Sequence, residues 1–533
     1  MTGFLRSAAL AALVTAIMPA QVTYDRLRNA LKEQHNWLTY WGDYSAIRHR
    51  DLKQIHTGNV RDLRTEWIFQ TGQAGGSFQT IQTVPLVVDG VMYFTAGNGV
   101  AFALDAATGR QLWRYQHAFP GGKKINMSNR GFAILNDMVY MVSPNAWVVA
   151  LEARTGRVVW QTEMAPYTGG QYTSTVAPLA LKNLIIAGIS GAEFGIRGFL
   201  DAYDAQTGKR VWRFWTIPAQ GEPGGDTWLG DSWKRGGGST WMTGTFDSTL
   251  NTLYWSVGNP GPDLYGQDRL GDNLYTDSLV ALDPDTGKLK WHFQFTPHDT
   301  HDWDACETPM LLNLNWKGRD RKLVISANRN AFYYVLDRES GEFLLGKPFA
   351  RQNWAVGLDE KGRPILRPNS GPTTEGNPIC PGLAGAANWM APSYNPQTGL
   401  FYFPVREQCD VYYTSPPTYV EGKPYWGSVF RGITEEKEWG LLKALDPLTG
   451  ETKWDFRYHR APWAGTLSTA GGLIFAGDED GYLMAFDARG GKLLWKMYTG
   501  SRLVTSPITW ELRGRQYVTM PSGAAVLTFS LPR

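Results

Sequence analysis

Residues 297–310 read Pro-His-Asp-Thr-His-Asp-Trp-Asp-Ala-Cys-Glu-Thr-Pro-Met, which crowds Asp299, Asp302, Asp304 and Glu307 together with His298 and His301. Carboxylates this dense beside Trp303 and the apolar Met310-Leu311-Leu312 must be solvated, paired or metal-bound, because an unpaired buried charge is expensive. Oxygen donors of this kind suit a hard cation. The plain alternative is an acidic loop facing water. Which reading holds depends on whether the rest of the chain forms a frame around the loop.

One phrase recurs along the sequence: an apolar residue, an acid, two variable positions, Thr-Gly or a variant, then Trp. Asp105-Ala-Ala-Thr-Gly109 leads to Trp113, Glu152-Ala-Arg-Thr-Gly156 to Trp160, Asp204-Ala-Gln-Thr-Gly208 to Trp212 and Asp283-Pro-Asp-Thr-Gly287 to Trp291. Asp337-Arg-Glu-Ser-Gly341 leads to Leu345, where Trp should stand, Asp446-Pro-Leu-Thr-Gly450 to Trp454 and Asp487-Ala-Arg-Gly-Gly491 to Trp495. Each copy reads as strand, tight turn, strand, the turn residues supplying side-chain caps and a glycine that accepts positive φ. A second hairpin precedes most copies, as in Val84–Val88, Asp89-Gly90 and Val91–Phe94. Four strands per repeat is the signature of a propeller.

After Trp495 three strands remain, near 503–510, 515–520 and 524–530, without a closing one. Residues 64–70 look like that missing strand, with Trp67 in the repeat position. The expected fold is therefore all-β: an eight-bladed β-propeller with four-stranded blades, its ring closed by an N-terminal strand. Asn395-Pro-Gln-Thr-Gly399 imitates the turn but falls between the first two strands of its blade. Long insertions lie between Trp212 and Trp291 and between Leu345 and Trp454, and insertions of that size usually build a functional face.

Composition narrows the setting. Lys plus Arg number 52 against 49 Asp plus Glu, a balance that argues against a nucleic-acid surface. Residues 1–20, with Arg6 ahead of an apolar small-residue run ending Met18-Pro19-Ala20, read as a secretory signal too short to span a bilayer. Residues 21–63 form an N-terminal segment and 64–533 the propeller. No integral membrane segment is expected, and the chain reads as periplasmic. Of the three cysteines, Cys380 and Cys409 can pair in an oxidising compartment, leaving Cys306 over. No Cys-x-x-Cys-His motif attaches a haem, and no cysteine near residue 20 provides a lipid anchor.

The repeats around an Asp-Trp-Asp loop resemble the pyrroloquinoline quinone (PQQ) alcohol dehydrogenases of the methanol/ethanol dehydrogenase family, from about residue 35 to the C-terminus. Ser190-Gly191-Ala192-Glu193 is similar to the segment whose Glu binds the metal, and Gly258-Asn259-Pro260 to the segment supplying an Asn ligand. Ser239-Thr-Trp241 matches the stretch whose Trp forms the floor under PQQ. Arg130, Thr175, Asn388 and Trp463 match further cofactor contacts, and Arg329 the arginine beside the quinone oxygens. Asp302 falls on the catalytic Asp and Asp304 on a second metal position. The family also implies a Cys380–Cys409 disulfide. Two positions depart from it: Lys124-Ile125 stand where adjacent cysteines usually cover PQQ, and Gln82 stands where a cofactor-binding Glu is usual.

The resemblance implies oxidation of a primary alcohol by hydride transfer to PQQ, with Glu193, Asn259, Asp302 and Asp304 holding the ion. Asp302 would be the general base, and Arg329 would stabilise the developing oxyanion. Asp304 points to a lanthanide rather than Ca²⁺, since a third carboxylate suits a trivalent ion; the alternative is that Asp304 faces solvent or pairs with a basic side chain. A soluble cytochrome c is the expected electron acceptor. The sequence leaves open a homodimer and a bulkier alcohol or polyol substrate. The rival from another class is a non-catalytic propeller scaffold of the outer-membrane assembly type, which would need neither the Asp-Trp-Asp loop nor the Glu and Asn donors.

Overall fold

The computed structural model describes residues 21–73, 80–119, 125, 127–167, 171–433 and 437–533. The expected leader, residues 1–20, and Lys124 lie outside them. The chain is an all-β propeller. Six four-stranded antiparallel sheets run from Leu86–Val88 through Thr452–Tyr458, five of consecutive strands and the sixth interrupted by an insertion between Leu400–Glu407 and Trp439–Leu445. The sheet from Thr466–Thr469 to Leu493–Tyr498 gains a fifth strand, because His49–Arg50 pairs in parallel with Ser468 and Thr469. In the last sheet Ile508–Leu512, Arg515–Ser522 and Ala525–Ser530 are joined by Arg64–Gln70, in the register Arg64↔Ser530 to Gln70↔Ala525.

The repeated turn makes the joint between sheets. Asp105 caps its turn by accepting from Thr108 N–H (3.0 Å) and Thr108 Oγ1 (2.9 Å). The strand after the turn carries a bulge just before its Trp, seen where Leu104 pairs Gln111 but Ala103 pairs Trp113. That Trp then lies against the glycine of the next turn. A Cβ on Gly156, which sits at φ +72°, would come within 2.8 Å of the Trp113 ring. The indole N–H of Trp113 meanwhile donates to Ala153 O at 2.9 Å. Trp67, Trp160, Trp212 and Trp454 make the equivalent hydrogen bond to Ala106, Ala205, Pro284 and Ala488. Trp67, the tryptophan of the N-terminal strand, thus binds like the others.

Residues 21–63 are more than a leader to the ring. Arg48, fully buried, donates to Thr466 O (3.0 Å) and Pro507 O (2.7 Å), Tyr44 Oη to Ala180 O (2.7 Å), and Trp41 Nε1 to Gly244 O (3.1 Å). One short segment therefore ties down the first strands of several sheets. The insertions add a hairpin, Ala355–Leu358 with Pro364–Leu366, and a three-stranded sheet of Asn377–Ile379, Asp410–Tyr412 and Phe430–Gly432. Cys380 and Cys409 are disulfide-bonded at the flank of that sheet, and Cys306 is a buried free thiol. Among the described residues no helix is long and apolar enough to cross a membrane.

Trp67→Ala removes a joint indole and should cost about 3–5 kcal/mol. Chemical denaturation should give a lower midpoint, partly recovered in Trp67→Phe. A midpoint equal to wild type would show that the strand is dispensable for closing the last sheet.

Candidate active site

The acidic loop joins Leu289–Gln294 to Met310–Trp316, one sheet to the next. Asp299 folds it: Oδ1 accepts from His301 N–H (3.1 Å) and Nδ1 (3.0 Å), and Oδ2 accepts from Trp303 N–H (2.9 Å). Burial opposes ionisation of Asp299, but these bonds and the Arg269 charge outweigh it and hold the carboxyl below its usual range. Trp303 is completely buried, stacked under His301 at 4.1 Å and donating from Nε1 to Gly382 O at 3.1 Å. Asp302 stands at φ +61°, a strained setting for a residue with a side chain.

Arg329, from the tight turn after Arg319–Ala327, gathers the acids. Its Nη1 lies 2.6 Å from Asp304 Oδ2, and its Nη2 lies 3.7 Å from Asp302 Oδ2 and donates to Leu383 O at 2.5 Å. Burial works against the guanidinium charge, and Asp302 and Asp304 outweigh it, so Arg329 stays charged. Asp304 is held a second way, since Oδ1 accepts from Asn259 N–H at 2.9 Å. Asp304 thus pairs with a basic side chain rather than turning to solvent. Gly258 has no room for a side chain, since a Cβ there would meet Asp304 Oδ1 at 2.2 Å.

Glu193 lies on the short 3-10 turn Ala192–Phe194, and its backbone oxygen accepts from Tyr425 N–H (2.6 Å) in the long insertion. Glu193, Asp302 and a residue the sequence reading missed, Asp263, line one cavity of about 420 Å³. Leu264, Leu383, Trp426, Ser428, Val429 and Phe430 complete its wall. Burial pushes Asp302 and Asp263 well above the ordinary carboxylate range and Glu193 up, and the carboxylates reinforce one another. No three of these acids bring oxygens within 4.8 Å of one another. The described set that does is Glu33, His35 and Asp89, and Arg26 bridges its two acids. Oxygens on opposite sides of a large cation stand up to about 5 Å apart, given metal–oxygen distances of about 2.3–2.6 Å. The donor set fits a hard cation, in an open arrangement that an ion would draw together.

The cofactor expectation meets a matching arrangement. Trp241 is half-buried, with the Arg130 guanidinium 4.6 Å from its ring centroid and Trp389 edge-on at 5.9 Å. Trp463 stacks on Trp389 at 4.5 Å. Arg130 N–H donates to Thr175 O at 3.0 Å, its Nη1 bonds Thr175 Oγ1, and that hydroxyl lies 3.4 Å from Ser190 Oγ. Burial brings Arg130 down to about 10. Gln82 Oε1, Arg130 Nε, Arg329 Nε and Trp389 Nε1 are all buried without a hydrogen-bond partner. Orphaned polar atoms of this kind are rare in a finished interior; the three N–H donors suit an anionic ligand, and Arg130 and Trp389 lie beside Trp241, whose ring suits a planar one. Ser239 is buried beside Gly258, and its backbone oxygen accepts Gly258 N–H at 2.8 Å. Asn388 is largely used by the protein: Oδ1 accepts from Trp389 N–H (2.9 Å) and the Cys306 thiol (3.3 Å), and Nδ2 donates to Ala384 O (2.8 Å).

Sequence reasoning missed Asp263 although it follows Asn259 in one Pro-Gly-Pro turn, which was signal enough to include it. It also passed over Asp277, completely buried with neither carboxylate oxygen paired. Trp426 and Phe430 carry no sequence signal, because nothing in an irregular insertion fixes which residue turns inward.

Comparison with known proteins agrees with this geometry. Residues 37–346 and 458–518 match the family described as “Glucose/ethanol/alcohol dehydrogenase, beta-propeller domain”. The chain is 35% identical to the quinoprotein alcohol dehydrogenase PedH of Pseudomonas putida, over 96% of this chain and 90% of the relative. It is 34% identical to the lanthanide-dependent methanol dehydrogenase of Methylacidiphilum fumariolicum, over 94% and 86%. Among solved structures, the quinohemoprotein alcohol dehydrogenase ADH-IIG of Pseudomonas putida superposes with TM-score 0.90 at 34% identity, covering 97% of this chain and 83% of that one. A europium-containing methanol dehydrogenase superposes with TM-score 0.88 at 31% identity, covering 95% and 100%.

Glu307, buried and bonded by Asn328 Nδ2 at 3.2 Å, is pushed by burial up to about 8, so it is native as the neutral acid. An unfolded Glu releases its proton near 4.5. The stabilisation is therefore complete below that pH and is lost as pH rises through about 8. Glu307→Gln should melt like wild type near pH 5 and above it near pH 9. The same offset at both pH values would contradict this.

Proposed function

The chain belongs to the PQQ-dependent alcohol dehydrogenases, and from that premise we propose how its own residues carry the reaction. It is an enzyme that oxidises alcohols with PQQ and a lanthanide or Ca²⁺ ion. This excludes the non-catalytic scaffold.

The observation that carries the residue assignment is Arg329 joining Asp304 to Asp302, which lines the cavity. Glu193, Asn259 and Asp302 would hold the ion, with Asp304 near it, and Trp241, Arg130, Thr175, Ser190 and Gln82 would hold PQQ. When bound, PQQ supplies the hydride acceptor and the ion a Lewis acid. Asp302 takes the proton of the substrate hydroxyl on a carboxylate oxygen. Its side chain is one-fifth exposed, enough to reach a substrate in the cavity. Burial disfavours its ionised form and the Arg329 charge offsets this only in part, so the carboxylate form that serves as base would rely on the charge of the bound ion. Arg329 Nε–H, buried and free, can donate to a developing negative oxygen. The apolar walls keep water from the reacting atoms.

A cavity of about 420 Å³ is far larger than the ten or so Å³ that a water-sized guest needs, and falls in the range for sizeable organic ligands. Trp426, Val429 and Phe430 at its rim favour primary alcohols with an apolar body over methanol. The finer reading of the whole chain is an eight-bladed ring, residues 64–533, closed by Arg64–Gln70, exported by residues 1–20 to the periplasm. The pairing with Ala525–Ser530 and the Cys380–Cys409 disulfide support it. With no Cys-x-x-Cys-His in the chain, a soluble cytochrome c is the proposed acceptor. The proposed ion is a lanthanide, supported by the number of carboxylates around the one Arg329.

Asp302→Asn should lower turnover of PQQ-loaded enzyme by at least about 10²–10⁴-fold, the usual range for a lost general base; wild-type turnover would remove Asp302 from its role. Metal-free enzyme given PQQ with La³⁺ should be more active than with Ca²⁺. Full activity with Ca²⁺ and none gained with La³⁺ would overturn the lanthanide reading.

A further inference from the structure

Trp389 and Trp463 stack at 4.5 Å beside Trp241, yet they come from separate loops, one before Ser393–Asn395 and one before Thr466–Thr469. One residue touches both loops. Arg406, near the end of Leu400–Glu407, gives its backbone N–H to Ala386 O at 2.8 Å, three residues before Trp389. Its Nη1 donates to Ala461 O (3.2 Å) and Pro462 O (3.0 Å), the two carbonyls immediately before Trp463. The guanidinium lies 4.0 Å from the Trp463 ring centroid, and Arg130 lies 5.2 Å from that of Trp389, so each stacked indole meets a cation. As mere packing this is costly. Arg406 is 3% exposed, its Nε has no hydrogen-bond partner, and Glu438 stands off at 3.5 Å from Nη2. Burial pulls the guanidinium down to about 10. An apolar side chain often fills such a place at no loss of stability, but it offers an indole no cation and a loop no donors.

We propose that Arg406 is a positioning residue for the cofactor site: it joins the two loops at their backbones and fixes the Trp463 ring, so that the Trp389–Trp463 wall is preformed for a planar ligand. This rests on the proposed assignment of Trp463 to PQQ. Arg406 acts through the indoles and does not itself touch the reacting atoms. Its remaining partners, Gln408 Oε1 at 2.9 Å from Nη2 and Glu438, line a separate cleft of about 210 Å³. That cleft gives a small cation a way to the place of the guanidinium once the side chain is removed.

The test uses the full chain and PQQ at fixed La³⁺, in wild type, Arg406→Met, Arg406→Ala, Arg406→Lys and Trp463→Phe. Quenching of tryptophan fluorescence gives PQQ affinity, and near-ultraviolet circular dichroism reports the stacked indoles. Arg406→Met should weaken PQQ on the order of tenfold or more and lose the indole signal as Trp463→Phe does. Arg406→Ala should do the same, with millimolar guanidinium restoring both readouts and equal NaCl restoring neither. Arg406→Lys keeps the charge without the planar fork and should show part of the loss. It decides the matter if the Met and Ala variants do not fold, since wild-type affinity and dichroism in Arg406→Lys would then overturn the proposal. A lower melting temperature in Arg406→Met with both readouts unchanged would also overturn it, reducing Arg406 to a stitch between sheets, as would recovery of Arg406→Ala in NaCl alone. Trp463→Phe with unchanged PQQ affinity would remove Trp463 from the cofactor site and this proposal with it. A weakened Trp463→Phe beside an unchanged Arg406→Met would sink this proposal and leave the cofactor site standing.

Discussion

An indole laid against a turn glycine is the contact on which the ring depends. The turn glycine must have positive φ to close its hairpin and must lack a Cβ to admit the neighbouring Trp, as Gly156 does beneath Trp113. The Trp in turn needs an acceptor for its N–H, which a carbonyl of that same turn provides. The joints of Trp67, Trp113, Trp160, Trp212 and Trp454 thus combine apolar burial with one satisfied hydrogen bond, and a substitution on either side damages both; the Trp291 indole packs on Gly341 with its N–H unpaired. Rigid joints fix the loops between sheets, and the site is made almost wholly of such loops.

What the ring positions is a deliberate excess of negative charge. Glu193, Asp302 and Asp304 meet Arg329 as their near cation and Asp263 meets Arg269, and burial alone would drive all four acids toward the neutral form. A protein without a ligand gains nothing from this arrangement, because replacing buried charges by apolar groups is often neutral or stabilising. The arrangement makes physical sense once a cation completes it. The orphaned donors Arg130 Nε, Arg329 Nε and Trp389 Nε1 carry the same message for an anionic partner.

The sequence made the ring legible because the joint repeats: an acid, Thr-Gly and Trp at fixed spacing report strand, turn and strand each time. It also made Arg64–Gln70 legible, since an unclaimed Trp strand and an unfinished last sheet are complementary. The fifth strand at His49–Arg50 was not legible, because two residues carry no period and Arg48 and Arg50 read as surface charges until their carbonyl partners are seen. Within the site, Asp302 and Arg329 were readable from local motifs. Asp304 was read from its position and from charge, while its partner Arg329 stands in the turn after the next two strands, where no local motif ties the two together. Asp263 illustrates the limit in the other direction: its neighbour was noticed, but its burial is a property of the tertiary fold.

The joint that lacks its tryptophan shows how ring and site are coupled. Leu345 stands in the Trp position, and the next turn glycine, Gly450, faces Lys347 and Tyr333 instead. The long insertion that follows Leu345 brings Trp354, completely buried, whose Nε1 donates to Asn330 O at 2.9 Å beside Arg329. Trp354 also packs edge-on against Trp303 at 5.1 Å. The same insertion carries the Cys380–Cys409 disulfide, and two residues beyond Cys380 the Gly382 oxygen receives the Trp303 indole N–H. Trp303 is therefore held by the insertion from two directions, and the carboxylates on either side of it are left facing Arg329. Where the ring gives up its own clamp, the inserted segment supplies another one, and it closes on the loop that carries Asp302.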